Sequence, residues 1–267
     1  MAYVKPKTEK EQREQFGELC KKPIEDQQEF FLKSFIFALG DDWKEVPRLG
    51  GIFRKYVHDA GEGKEDLNEV QASDFLQKNG ITRTAIQRKN ELADIDLDQN
   101  KRISFVEYML LHFKVMILKE YFKRKEQTPT MKLENEASAV GLVGVGVMLL
   151  DELFTLPVGL PPELVEAIEK FTETVRTKEN RLKDLRNKAS QGGVKGMAAQ
   201  NEIIQMEKED KTDLNRLELT LNAAKKKAAK NTGEQALLEK KKKEEEEEKQ
   251  RKQESKNRWK EKAKLWN

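Results

Sequence analysis

The chain is short of most residues from which enzymes build sites. Among its 267 residues there is one cysteine, Cys20, and there are two histidines, His58 and His112. One thiol excludes a disulfide scaffold and a cysteine zinc cluster, and two histidines so far apart make no histidine metal site or catalytic triad. No other constellation of acids and bases suggests catalysis, so the chain is not expected to be an enzyme. Long hydrophobic runs are also missing. The apolar stretch Ala137 to Leu150 spans 14 residues and ends at Asp151-Glu152, short of the ~20 that a membrane helix needs. The opening residues MAYVKPKTEKEQ contain no apolar core, so no secretory leader is expected.

Charge is what the chain has in excess. Its 51 Lys+Arg and 48 Asp+Glu make 37% of the sequence, equal to the hydrophobic 37%, where globular domains average ~25% charged and ~45–50% apolar. That surplus does not fit over one compact core and implies a small globular domain followed by long solvated helices. The distribution is uneven. Residues 1–131 hold 23 basic and 23 acidic side chains, whereas residues 225–267 hold 16 basic and 9 acidic. A basic block of this kind attracts an anionic surface or simply keeps a helix solvated.

The fold class implied is all-α, in four segments. In residues 1–126, helices are expected near 24–39, 48–58, 70–79, 82–95 and 105–125, and no stretch alternates with period two long enough for a sheet. Residues 127–161 form a joint, broken by Pro129 and by Pro157, Pro161 and Pro162 around the apolar run. Its glycines at 141, 144 and 146 do not make a dinucleotide loop, because no strand precedes them. Residues 162–230 carry two apolar seams. The first runs through Leu164, Ile168, Phe171, Val175, Leu182 and Leu185, behind an N1 proline, Pro162. The second runs through Ile203, Leu214, Leu217, Leu221, Ala224 and Ala228. Between them, Gln191-Gly192-Gly193 supplies a C-cap. Two seams and a glycine turn predict an antiparallel, coiled-coil-like α-hairpin with arms of roughly 40–50 Å and its tip at 191–197. Residues 231–267 are expected to be a Lys/Glu-rich helical tail supported by i,i+4 pairs, with disorder as the competing reading, ending in Trp259 and Trp266.

The strongest motif lies at residues 96–107. A twelve-residue Ca²⁺ loop of the EF-hand type takes oxygen ligands at positions 1, 3, 5, 7, 9 and 12. Those positions are Asp96, Asp98, Asn100, the carbonyl of Arg102, Ser104 and a bidentate Glu107, with Ile103 placed to pair with a partner loop. Position 6, normally glycine because φ is positive there, is Lys101. A left-handed non-glycine residue costs ~1–2 kcal/mol, about tenfold in affinity, so a sensor-range or weaker site is expected. One Ca²⁺ is implied, with Mg²⁺ as the alternative occupant at rest. The partner loop is sought at 59–71. Aligning Leu67 with Ile103 puts Gln71 at position 12, which makes the first hand degenerate.

An EF-hand pair whose second loop is sound, followed by a helical hairpin with a glycine tip, resembles the Ca²⁺-regulated 34-kDa actin-bundling protein family of amoeboid protists. The resemblance rests on Ile86-Gln-Arg-Lys89-Asn-Glu91-Leu92, on Ser104-Phe105-Val106-Glu107-Tyr108, and on Gly193-Val194-Lys195-Gly196-Met197-Ala198. It covers 84–113 and 178–230, and places no counterpart for 127–160 or the tail. It implies a cytoplasmic, cytoskeletal protein that cross-links actin filaments, with bundling turned down by Ca²⁺. Filament contact is then expected around the hairpin, at Lys183, Arg186, Lys188, Gly193, Val194, Lys195, Gly196 and Met197. The residues alone leave two alternatives open: a microtubule- or axoneme-associated Ca²⁺ sensor, since tubulin is also acidic, and a soluble Ca²⁺-binding adaptor. Nucleic acid and a membrane span are not expected. Monomer and dimer stay open.

Overall fold

The computed structural model describes residues 8–60, 65–79, 84–129, 133, 145–155, 160–209 and 214–230. Residues 61–64 of the first loop, 137–144 of the apolar run and the tail with Trp259 and Trp266 lie outside them. The chain forms two units, Met1–Asn222 and Ala223–Asn267. In the second, residues 223–230 are helical. The described residues are helical almost throughout, as the all-α expectation requires, and no helix among them is long and apolar enough to cross a membrane.

The first helix among the described residues, α1 (Glu9–Cys20), is one that hydrophobic periodicity did not mark. Thr8 and Glu11 start it with a capping box: Thr8 Oγ1 accepts the Glu11 N–H at 3.2 Å, and the Glu11 carboxylate accepts the Thr8 N–H at 3.4 Å. Its buried apolar residues are Phe16, Leu19 and Cys20, at i, i+3 and i+4.

Helix α2 (Ile24–Phe35) is the centre of the core. Its Ile24, Phe31, Leu32 and Phe35 are inaccessible to solvent. The helix ends earlier than expected, passing through a turn and a left-handed Gly40 (φ +55°) into the 3-10 segment Gly40–Lys44. Helices α3 (Glu45–Ala60), α4 (Glu69–Asn79) and α5 (Ala85–Ile95) follow. The stretch expected as one helix over 105–125 is two, α6 (Phe105–His112) and α7 (Lys114–Arg124), because Phe113 leaves helical geometry (φ −96°, ψ 12°). Its ring lies 5.9 Å from Phe31 in the interior. Phe53, Phe75, Phe105 and Tyr108 form a second aromatic cluster, with Phe75 edge-on to Tyr108 at 4.8 Å, each pair adding ~0.5–1.5 kcal/mol beyond its buried area.

The end of the apolar run is a buried helix, α8 (Gly146–Thr155). Leu149, Leu150, Leu153 and Phe154 face α1, α2 and α7. Arg124 of α7 pairs with Glu152, and Gln12 of α1 donates to Asp151 at 3.1 Å.

Helix α9 (Pro162–Ser190) has two different partners along its seam. Leu164, Ile168 and Phe171 pack onto the N-terminal core, with Trp43 edge-on to Phe171 at 5.3 Å. Ion pairs reinforce that contact: Lys33–Glu169 at 2.7 Å, Arg54–Glu179 at 2.9 Å, and Arg176–Asp26. Leu182 and Leu185 instead pack against α10 (Gly193–Glu209). The rod expected from residue 162 is therefore anchored to the core through Glu179, and its heptads serve first one neighbour and then another.

The turn is also tighter than the tip expected over 191–197. Gly192 (φ +71°) and Gly193 (φ +69°) reverse the chain, and 193–197 already belong to α10. A Cβ on Gly196 would meet the Ala189 carbonyl at 3.0 Å, so this glycine lets the two backbones approach. Arg181 and Glu202 pair across the hairpin at 2.5 Å. Residues 214–230 are helical (α11), with Leu221 buried and Leu214 and Leu217 half-buried.

Candidate functional site

The loop 96–107 runs from the end of α5 to the first turn of α6. Between them, β2 (Arg102–Ile103) pairs antiparallel with β1 (Leu67–Asn68), in the register Leu67 to Ile103. The two loops close in parallel ways. Ser104 and Glu107 form a capping box at the start of α6, and Asn68 and Gln71 exchange two backbone–side-chain bonds of 2.9 Å at the start of α4. Gln71 thus does with a neutral amide what Glu107 does with a carboxylate. Arg102 ties the loops together by donating to Asp66 Oδ1 at 2.6 Å and to the Asp66 carbonyl at 3.2 Å.

Inside the loop, the Asp96 carboxylate accepts the Asn100 and Lys101 N–H groups, both at 3.0 Å. Asp98 accepts the Asn100 N–H at 3.2 Å, and Asn100 Oδ1 accepts the Arg102 N–H at 2.6 Å. These bonds curl the backbone tightly, with Gln99 and Lys101 both at φ +58°. The sharp turn anticipated at position 6 is present, and position 4 shares it. Glu107 is inaccessible to solvent. Its Oε1 accepts the Leu97 N–H at 3.2 Å, and its Oε2 accepts the Ser104 N–H and hydroxyl at 2.8 Å each. Burial pushes the Glu107 carboxyl well above the usual carboxylate range, and burial also raises Asp98.

Cys20 of α1 joins this cluster, a neighbour that sequence reasoning missed. Its Sγ and carboxylate oxygens of Asp98 and Glu107 lie within 4.8 Å of one another. Burial pushes the Cys20 thiol well above its usual range. Nothing in the sequence links residue 20 to residue 107, and only the fold brings them together. Asp96, Asp98, Asn100, Ser104 and Glu107 offer side-chain oxygens and Arg102 a carbonyl, the hard donor set that suits Ca²⁺. A divalent cation would compensate the burial of two carboxylates. Lys101→Gly is expected to tighten Ca²⁺ binding about tenfold by removing a left-handed side-chain penalty of ~1–2 kcal/mol. Calorimetric titration measures it, and unchanged affinity would show that the backbone carries no such strain.

Of the eight residues expected at the filament, Gly196 is buried against Ala189, Gly193 is exposed at the turn, and the other six divide between two places. Lys183 and Arg186 border a cleft against Pro23, Arg54 and Glu179, on the flank that faces the N-terminal core. Lys188, Val194, Lys195 and Met197 are exposed around the hairpin turn, with Val194 80% and Met197 64% accessible. Ile204, 44% exposed and seven residues beyond Met197, extends the apolar side of α10.

A family model for the C-terminal part of F-actin bundling proteins, "F actin bundling C terminal", matches residues 115–260, more than half of the chain. The chain belongs to this F-actin bundling family. The match starts in α7, includes α8 to α11 and continues into the tail. It thus spans the joint and the Lys/Glu segment, for which the resemblance above placed no counterpart. Among solved structures, the chain is similar to the 34 kDa F-actin bundling protein from Dictyostelium discoideum, at 22% identity over 86% of this chain and 92% of that one. The TM-score is 0.38, and at that level the likeness carries no argument about the geometry described here. Comparison with curated protein sequences finds no match.

Proposed function

We propose that this protein binds and cross-links actin filaments and that Ca²⁺ at the 96–107 loop turns bundling down. Membership of an F-actin bundling family supports the filament part, and favours actin over tubulin. The observation that carries the Ca²⁺ part is Glu107, a solvent-inaccessible carboxylate closing a twelve-residue loop of oxygen donors. Such a protein works in the cytoskeleton as a structural cross-linker and performs no catalysis.

The hairpin end is the proposed filament contact. Val194, Met197 and Ile204 expose apolar surface beside Lys195 and Lys188, a combination suited to an acidic protein surface with apolar pockets. Cross-linking requires a second contact, on the basic tail, the N-terminal half or a second copy of the chain. Removing one of two contacts abolishes cross-linking while single-filament binding persists. Lys195→Glu reverses a charge at the hairpin end without touching either seam. It is expected to weaken filament affinity about tenfold, ~1.4 kcal/mol, with unchanged helicity by circular dichroism. High-speed co-sedimentation with actin measures it, with microtubules as the comparison polymer. Full binding by the variant would move the contact away from the turn, and pelleting with microtubules alone would overturn the actin reading.

A further inference from the structure

Helix α8 touches the metal loop at a place where only glycine fits. A Cβ at Gly146 would lie 2.6 Å from Leu97 Cδ2 and 2.7 Å from the Asp94 carbonyl oxygen. The leucine side chain could rotate away, but the carbonyl is backbone, two residues before the first ligand position, Asp96. Gly146 is not among the left-handed glycines, so it is required for space and not for conformation. Leu97, the other residue it touches, is loop position 2, beside the first ligand position, and donates its N–H to Glu107 Oε1 at the last.

The same helix is held from the other sides of the site. Arg124–Glu152 fixes it to α7, which continues from the helix that carries Glu107. Gln12–Asp151 fixes it to α1, which places Cys20 beside Asp98 and Glu107. Helix α8 therefore spans the two flanks of the loop, and its C-terminal end, Thr155, is seven residues before Pro162 and α9.

We propose that Gly146 is a positioning residue for the metal loop, and that the docking of α8 follows the loop's occupancy. The inference rests on the Ca²⁺ reading above and adds the route by which that reading could act. EF-hand helices reorient when the loop closes on metal. An element wedged between the α5 end and α7 cannot hold both contacts through such a change. Linkage makes the effect reciprocal: whatever disturbs α8 at Gly146 alters metal affinity, and metal alters how α8 docks.

The test uses the full chain and Ca²⁺ itself. Gly146→Ala is expected to lower Ca²⁺ affinity about tenfold, the scale on which outer partners of metal ligands act. Gly51→Ala, at a helical glycine with open space around its Cβ position, should leave affinity unchanged. In the unsubstituted protein, amide hydrogen exchange in 146–155 should change when Ca²⁺ is added, a measurement that needs no variant to fold. If Gly146→Ala only lowers the metal-free melting temperature and its folded fraction binds Ca²⁺ like the parent, the positioning role is wrong. Exchange in α8 that ignores Ca²⁺ would overturn the coupling. A parent protein that takes up no Ca²⁺ would overturn this inference together with the reading on which it rests, whereas normal uptake with an unaffected Gly146→Ala overturns this inference alone.

Discussion

Glu107→Gln is expected to abolish Ca²⁺ binding, with loss of the calorimetric signal at any practical concentration. The bidentate carboxylate at position 12 closes the loop on the ion, and here that carboxylate is already held in place by the Leu97 N–H, the Ser104 N–H and the Ser104 hydroxyl. Glutamine keeps the volume but removes the negative charge and replaces one acceptor oxygen with a donor. The –NH2 group would then confront the donors that now serve Glu107. Helical content should persist, because the aromatic cluster beneath α6 is untouched. Unchanged stoichiometry in this variant would place the metal in another loop. The adjoining hand offers no substitute of equal strength, since Gln71 occupies the corresponding position with a neutral side chain.

Lys114→Met should produce the largest loss of stability. Lys114 and Glu91 form an ion pair at 3.2 Å with both side chains essentially inaccessible, joining α7 to α5. Deleting one partner of a buried pair leaves the other charge in a low-dielectric interior, at a cost of ~3–5 kcal/mol. For a folded unit of this size each kcal/mol lowers the melting temperature by roughly 2–4 °C, so a fall of roughly 6–20 °C is expected in a thermal scan. Replacing both partners, Lys114→Met with Glu91→Leu, should recover much of it, because the buried charge is then gone. A single variant that melts with the parent would mean that Glu91 is compensated by its other neighbours.

How much of this could be read from the sequence differs from place to place, for physical reasons. The loop was legible because all its ligand positions fall within twelve consecutive residues. Its register against the first loop followed from aligning Leu67 with Ile103, the pair found opposite each other. Lys101 was legible as a left-handed residue because the turn at position 6 dictates φ whatever the side chain. Contacts that depend on tertiary packing were not. Cys20 and Gly146 reach the loop from segments 76 residues before and 39 residues after its ends, and no local pattern announces either approach. Helix α1 escaped notice because three apolar residues in twelve give little periodicity. The break at Phe113 comes from an aromatic ring drawn into the core, and a continuous helical pattern hides it. Along α9, a regular heptad suggested one partner, while the fold gives Leu164–Phe171 to the N-terminal core and Leu182–Leu185 to α10.

If Ca²⁺ at Asp96–Glu107 governs the cross-linking of filaments, low-speed pelleting of actin filaments, which collects bundles, registers that control beside high-speed pelleting, which collects all filaments. Such control predicts that, in runs with and without Ca²⁺ on the parent chain and on Glu107→Gln, Ca²⁺ lowers low-speed pelleting of the parent more than high-speed binding, and leaves Glu107→Gln bundling at its metal-free level. Bundling by the parent that is indifferent to Ca²⁺, or an equal Ca²⁺ response in both proteins, would contradict it.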